Sequence, residues 1–253
     1  LPSTLLAYSV ISLRILLLLI IQIIAFQTQA QNAVVAIIID DIGYRKTDIN
    51  VLQLPTNITL SVLPHTPYGK QIAQQGFNAN HDVMLHIPME ATNGKFLGPG
   101  GLTHDMDEET IRRHLKAAYK EVPFAIGINN HMGSLLTALE QPMSWVMKFI
   151  KEKNMIFIDS ATSTQSKAGA IAKTLGILTR PRNVFLDNQL EHAYIAQQFE
   201  QLIKQAKQKK SAIAIAHPHP ETINSIKRLL PLLSEQKIEL VTVTELFKHK
   251  NNQ

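Results

Sequence analysis

The sequence predicts an α/β fold, a (β/α) barrel of about seven strands. Three observations point there. Ala33-Val34-Val35-Ala36-Ile37-Ile38-Ile39 is an unbroken run of β-branched and small apolar residues, as in a strand covered on both faces in a parallel sheet. Apolar runs then alternate with segments of helical spacing, without internal repeats or low-complexity linkers. Finally, Asp40/Asp41, His86, His131, Asp159, Asp187 and His217/His219 each fall at or just past the end of an apolar run. In an open sheet these residues would be strung along one edge. In a closed barrel they converge on one mouth, the end where such folds carry their chemistry.

The elements follow in order. After Gly43, Arg45 to Leu54 has helical spacing and Pro55 stops it. Ile58 to Leu63 reads as a second strand, and Pro67 starts a helix that ends near Gly76. Asp82 to Ile87 is the third strand, and Pro88 to Gly101 a Gly/Pro-rich loop long enough to wall a binding groove. Asp107-Glu108-Glu109 opens a helix running through Tyr119, with its acids first and its bases later, as the helix dipole favours. Phe124 to Ile128 is short and β-like and delivers Asn129-Asn130-His131-Met132-Gly133-Ser134. A helix over Met143 to Lys151 and a strand over Met155 to Ile158 lead to Asp159-Ser160. Ala168 to Leu175, Val184 to Asp187, a long helix from Glu191 to Lys207 and a strand over Ala212 to Ala216 follow. A helix around Ile226 to Leu233, a strand over Ile238 to Val243 and a turn at Glu245 close the chain.

Composition narrows the function. The chain has 253 residues, 45% of them hydrophobic, enough for one substantial domain with its own core. Residues 1–30 read as a signal peptide, because Ile15 to Phe26 is almost wholly apolar and Thr28-Gln29-Ala30 offers a small-x-small cleavage site. The alternative is an uncleaved anchor giving transient membrane association. Either way the protein is expected to be exported, to the periplasm or beyond, with 31–253 as a single domain. There is no cysteine, which removes thiol catalysis and thiolate metal ligands. The net charge of +5 is carried by clusters such as Lys207-Gln208-Lys209-Lys210 without interleaved aromatics, so no nucleic-acid partner is expected.

Two adjacent carboxylates on the rim of a buried strand repel each other, which favours a nearby cation or proton. His86 stands at a strand end, with Glu90 four residues on. His81, an odd number of residues away, falls on the opposite face. His131 sits in a turn that Gly133 allows to approach another backbone, and His217 and His219 flank a proline that keeps them extended. A carboxylate and two imidazoles without a thiol suit Zn²⁺ or a similar divalent metal with an open position for water. A second carboxylate then serves as base and a free histidine as acid. Asp159-Ser160 and Asp187-Asn188 either line the mouth or cap helices. Trp145, at helical spacing with Phe149, reads as core. Arg180 and Arg182 either meet an anionic substrate or lie on a surface loop.

Ile39-Asp40-Asp41-Ile42-Gly43, Leu85-His86-Ile87-Pro88-Met89-Glu90, Asn130-His131-Met132-Gly133-Ser134 and Ala216-His217-Pro218-His219-Pro220 together resemble the polysaccharide deacetylase superfamily. The closer likeness is to its divergent branch from bacterial envelopes, over essentially all of Val34 to Phe247. The resemblance implies a distorted (β/α) barrel that removes acetyl groups from N-acetylated sugars with a metal-activated water, acting on a polysaccharide or peptidoglycan-type glycan. By position it implies Asp40 as base, Asp41 and His86 as metal ligands, and His217 as catalytic acid. The family's second metal histidine falls on Glu90. His131 stands where the family has an Arg-Pro-Tyr-Gly stretch, and is expected to supply the remaining imidazole. Glu90, Asn130, Asp159, Asp187 and His219 are candidates for binding substrate. The rival expectation is a barrel that has lost the reaction and binds envelope glycan or a periplasmic partner. A third is hydrolysis of another bond, such as a phosphoester, on the same cluster.

Overall fold

The structure, a computed structural model, describes residues 32–251. The expected signal segment lies outside the described residues. Nine parallel strands form one sheet: β1 (Ala33–Ile42), β2 (Thr59–Val62), β3 (Val83–Met89), β4 (Gly127–Met132), β5 (Ile156–Asp159), β6 (Thr179–Pro181), β7 (Val184–Phe185), β8 (Ser211–Ala216) and β9 (Ile238–Leu240). Their order is β6-β5-β4-β3-β2-β1-β8-β7, and β9 pairs with the start of β1. The two ends of this order, β6 and β7, are joined by only Arg182 and Asn183. Arg182 N–H donates to Asp159 O on one side, and Asn183 N–H to Ile213 O on the other. The sheet therefore curls until one kinked segment, 179–185, pairs with β5 at its start and β8 at its end. Taken as one strand, that segment makes a distorted ring of seven, as the alternation predicts.

Among the described residues eight α-helices surround or close the ring: α1 (Gly69–Asn78), α2 (Glu108–Glu121), α3 (Glu140–Glu152), α4 (Ala168–Thr174), α5 (His192–Lys209), α6 (Pro220–Leu229), α7 (Pro231–Glu235) and α8 (Val243–Asn251). Short 3-10 turns cover Lys46–Gln53 and Leu136–Ala138. Asp107 caps α2, its Oδ1 accepting the Thr110 N–H at 2.8 Å. No helix among the described residues is long and apolar enough to cross a membrane.

Alternation along the strands builds two apolar layers. Val35, Ile37 and Ile39 of β1 face outward and pack with Phe149 of α3 and Ile195 and Phe199 of α5 in the larger cluster. Val34, Ala36 and Ile38 face inward with Met84, Ile156, Ile158, Ile213 and Ile215. Each fully buried isoleucine contributes about 1.5–3 kcal/mol from surface removed from water. Trp145 packs partly buried against the outer layer, in the core role expected of it.

Four expectations need correction. Strand β4 starts at Gly127, not Phe124, and runs on through His131 to Met132, because it pairs residue by residue with β3 from Met84 to Met89. That pairing overrides the poor strand propensity of Asn129-Asn130. The strand at Thr179–Pro181 was not expected. The single helix around Ile226 is two, α6 and α7, because Pro231 starts the second where it cannot continue the first. The terminal turn is a helix, α8, opened by a capping box: Thr242 Oγ1 accepts the Glu245 N–H and Glu245 Oε2 accepts the Thr242 N–H. Its Val243, Leu246 and Phe247 enter the inner apolar layer, and its first N–H groups donate to Thr59 Oγ1 and Asp82 Oδ2. Helix α8 thus plugs the end of the barrel where the strands begin.

Candidate metal centre

The opposite end, where the strands finish, is polar. Strict alternation would send Asp40 inward and Asp41 outward. The β1–β2 register prevents this: Ile39 pairs with Leu60 and Ile42 with Val62, so β1 carries one extra residue at the Asp40-Asp41 step. Asp41 absorbs the bulge with φ 59°, a left-handed conformation that aspartate tolerates better than most residues. Both carboxylates consequently face the mouth. Beyond them Asp48, fully buried, accepts the N–H groups of Gly43 and Arg45, each at 3.0 Å, and fixes the loop that follows.

Three ligand-bearing side chains meet at Asp41. Its Oδ1 lies 2.7 Å from His131 Nδ1 and 3.1 Å from His86 Nε2. One donor atom from each of Asp41, His86 and His131 falls within 4.8 Å of the others. Neither imidazole directs an aligned N–H at Asp41 Oδ1, and that buried oxygen has no hydrogen-bond partner. Short approaches without hydrogen-bond alignment are what lone pairs aimed at a shared cation produce. The side chains are 3% (His86), 23% (His131) and 33% (Asp41) exposed, so the group is closed toward the barrel and open toward the mouth. Burial alone would raise Asp41, but His131 and His86 beside it override that and hold its carboxyl well below the usual range. For His86 burial acts downward, and the charge of Asp40 followed by Asp41 pushes it up instead.

A second layer sets the orientation of these groups. Asn129 is fully buried and inward-facing, paired across the sheet with His86 and Ile158. Its amide donates to both oxygens of Asp40, at 2.8 and 2.9 Å. Its carbonyl oxygen accepts from Ser61 Oγ at 2.6 Å and faces His86 Nδ1 at 2.9 Å. With its proton on Nδ1, His86 presents Nε2 as a free lone pair, the tautomer a metal ligand requires. Asp40 Oδ2 lies 3.6 Å from that nitrogen, and burial pushes its carboxyl above the usual range.

On the far side, His217 Nδ1 lies 2.9 Å from Asp187 Oδ1, and Nε2 lies 3.9 Å from Asp41 Oδ2. Asp187 Oδ2 accepts the His217 N–H at 2.7 Å and Thr222 Oγ at 2.9 Å, which locks the pair. Burial would depress the imidazole. The hydrogen bond and charge of Asp187, with Asp41 and Asp40 beyond, override it and lift His217 to about 9.

Of the expected residues, the mouth therefore gathers Asp40, Asp41, His86, His131, His217 and Asp187. Asp187 supports His217 and caps no helix in this arrangement. The others are spent elsewhere. Glu90 accepts the backbone N–H of His104 at 2.7 Å and faces its ring at 2.8 Å, which pins the loop after β3 and keeps Glu90 out of the ligand group. Asn130, alternating away from the mouth, accepts the Ser160 N–H and donates to Met132 O. Asp159 accepts from Ala161 N and Ser166 Oγ, ordering the loop after β5. His219 precedes α6 and faces Arg45 at 3.5 Å. His81 turns to Ile58 O, away from the site as expected. Arg182 stacks over the Phe185 ring at 3.6 Å and donates to Ser160 O and Ala161 O, so it builds the rim. Asn129 and Ser61 were missed. The signal for Asn129 was parity: on a strand that delivers His131 inward, the residue two before it faces the same way.

The comparisons with known proteins agree with this fold. The chain is 37% identical over 216 residues to an uncharacterised protein of Haemophilus influenzae, covering 85% of this chain and 77% of that one. It is 37% identical over 196 residues to the uncharacterised protein YibQ of Escherichia coli, covering 77% of this chain and 61% of that longer protein. An uncharacterised Agrobacterium tumefaciens protein shares the fold with a TM-score of 0.82 at 25% identity, over 87% of this chain and 91% of that one. PdaA of Bacillus subtilis, a family 4 carbohydrate esterase, matches with a TM-score of 0.52 at 14% identity, over 88% and 83% of the two chains. Residues 37–247, the whole barrel from the middle of β1 into α8, match the model of the divergent polysaccharide deacetylases, and the chain belongs to that family.

Proposed function

We propose that the protein is a metal-dependent hydrolase that removes acetyl groups from N-acetylated sugars of an envelope glycan. The observation that carries this reading is the convergence of Asp41 Oδ1, His86 Nε2 and His131 Nδ1 beside a buried, amide-held Asp40. Those three atoms would hold the ion. Two nitrogens and one oxygen, with no thiol and an open side, suit Zn²⁺. When bound, the ion polarises the acetyl carbonyl and acidifies the attacking water.

The rest falls to the chain. Asp40, oriented by Asn129 and made more basic by burial, takes the proton from that water. His217, kept protonated by Asp187, stands on the other side of Asp41 and gives a proton to the departing amine. One group thus enters basic and the other acidic, which hydrolysis of an amide near neutral pH requires. The apolar stretch before residue 31 supports export to the envelope, where such a glycan is found.

The test is acetate release from N-acetylglucosamine oligomers and peptidoglycan by the zinc-loaded protein and by Asp40→Asn. The variant keeps the size of the side chain but loses the base. It should retain zinc and lose at least about 100-fold in turnover. Full activity in Asp40→Asn would sink the assignment. Glycan binding that survives in Asp40→Asn, with no turnover in either protein, would favour a barrel that binds without reacting.

A further inference from the structure

We infer that Asn129 is the positioning residue that divides labour between the two adjacent carboxylates, holding Asp40 off the ion as a base while fixing His86 so that its Nε2 becomes a ligand. The inference rests on the metal-dependent reading of the site.

Asp40 and Asp41 are neighbours with the same chemistry, and the bulge brings both to the mouth. Asp40 Oδ2 lies 3.6 Å from His86 Nε2 and Asp41 Oδ1 lies 3.1 Å away, so distance alone separates a base from a ligand poorly. What differs is how each is held. Asp41 Oδ1 has no hydrogen-bond partner, whereas both oxygens of Asp40 accept from Asn129 Nδ2. A primary amide has two N–H donors and one oxygen with two lone pairs. At Asn129 all are engaged: the donors by Asp40, with Ser160 Oγ at 3.4 Å, and the oxygen by Ser61 Oγ and His86 Nδ1.

The amide has one workable orientation. Reversed, it would press its oxygen against the Asp40 carboxylate and its N–H groups against the protonated Nδ1 of His86. A single side chain therefore imposes two conditions at once, an acceptor-only Asp40 and an Nδ1-protonated His86. Asn129 is 0% exposed, closed off from any molecule in the mouth, and its strand is paired on both sides by β3 and β5. It acts through its neighbours.

Two substitutions on the full chain separate these conditions. Asn129→Leu removes both. Asn129→Asp keeps an acceptor for His86 and Ser61 but faces Asp40 with a second carboxylate in place of a donor. Zinc affinity is read by competition with a chromophoric chelator, and turnover by acetate release at saturating zinc. Asn129→Leu should bind zinc roughly 10–100-fold more weakly than wild type, the usual cost of losing a residue that orients a ligand. Asn129→Asp should bind zinc at least as tightly as wild type yet lose about 100-fold in kcat with KM unchanged. A purely structural role would lower both readouts together. Wild-type zinc affinity in Asn129→Leu, or wild-type kcat in Asn129→Asp, overturns the inference. A wild-type protein that takes up no zinc overturns the metal reading itself, a distinct result. If wild type binds zinc but releases no acetate, the zinc affinity of the leucine variant decides alone.

Discussion

Along β1 the inward positions read Val34, Ala36, Ile38 and then Asp40, and the change of character at the last step separates the two ends of the barrel. The lower end is filled by aliphatic side chains and stoppered by Val243, Leu246 and Phe247 of α8. The upper end carries Asp40, His86 and Asn129 on the same inward face of the strands, and His217 just past the end of β8. The inner layer below is held by apolar packing. The mouth above keeps a bulge, a left-handed Asp41 and a buried oxygen without a partner. Such features cost free energy and persist where the surrounding structure enforces them. The lower end supplies that rigidity and the upper end uses it.

The sharpest way to separate the ends is to remove a ligand. His86→Ala should weaken zinc binding by more than the roughly 10–100-fold cost of losing a supporting residue. Excess zinc stabilises a protein that binds it only when folded, by about 4 kcal/mol at a thousand times Kd. Thermal melts of wild type should therefore move up with zinc and those of His86→Ala should stay put. An equal zinc-dependent rise in both would place the ion elsewhere.

The complementary change belongs to the plug. Phe247 is 5% exposed in the inner layer. Phe247→Ala should cost about 3–5 kcal/mol of stability, from lost burial and the space left behind. Urea unfolding would report this as a lower midpoint, and zinc affinity below the transition should stay within about threefold of wild type, as expected for distant, independent sites. A parallel loss of zinc affinity would show that the two ends are not independent.

These two ends were not equally legible in the sequence. The ring of strands and the residues at their ends could be read from apolar runs and the polar residues that stop them, because that pattern is local. What escaped depends on pairing between distant segments. Asn129-Asn130 looks like a turn until β3 lies beside it, and only then does parity turn Asn129 into the mouth and Asn130 away. The joint facing of Asp40 and Asp41 needs a bulge that no spacing rule supplies. Glu90 falls where the resemblance implies a metal histidine, and its capture by His104, fourteen residues on, is a property of the folded loop. Helix α8 is the opposite case. Thr242-Val243-Thr244-Glu245 carries a capping-box signature in the sequence itself, a local signal for a helix where only a turn is expected.

The smallest predicted effect sharpens the comparison through pH, because the carboxylates that act on His217 all belong to the mouth. In metal-free protein, His217 is lifted to about 9 by Asp187, Asp41 and Asp40 against the effect of burial, while an unfolded histidine titrates at about 6.5. The folded state therefore binds this proton more tightly than the unfolded one. Its contribution is fully present below about pH 6.5 and is lost as pH rises through about 9. Asp187→Asn removes the charge that does most to hold the proton. Below neutrality the variant's denaturation midpoint should lie under that of wild type, and the gap should narrow as pH climbs from 7 to 10. Comparing the two proteins at each pH cancels the other titrating groups of the mouth, His86 among them. A gap that stays constant across that range would mean that the Asp187–His217 pair is held together by its neutral hydrogen bonds, and that the proton assigned to His217 is not there.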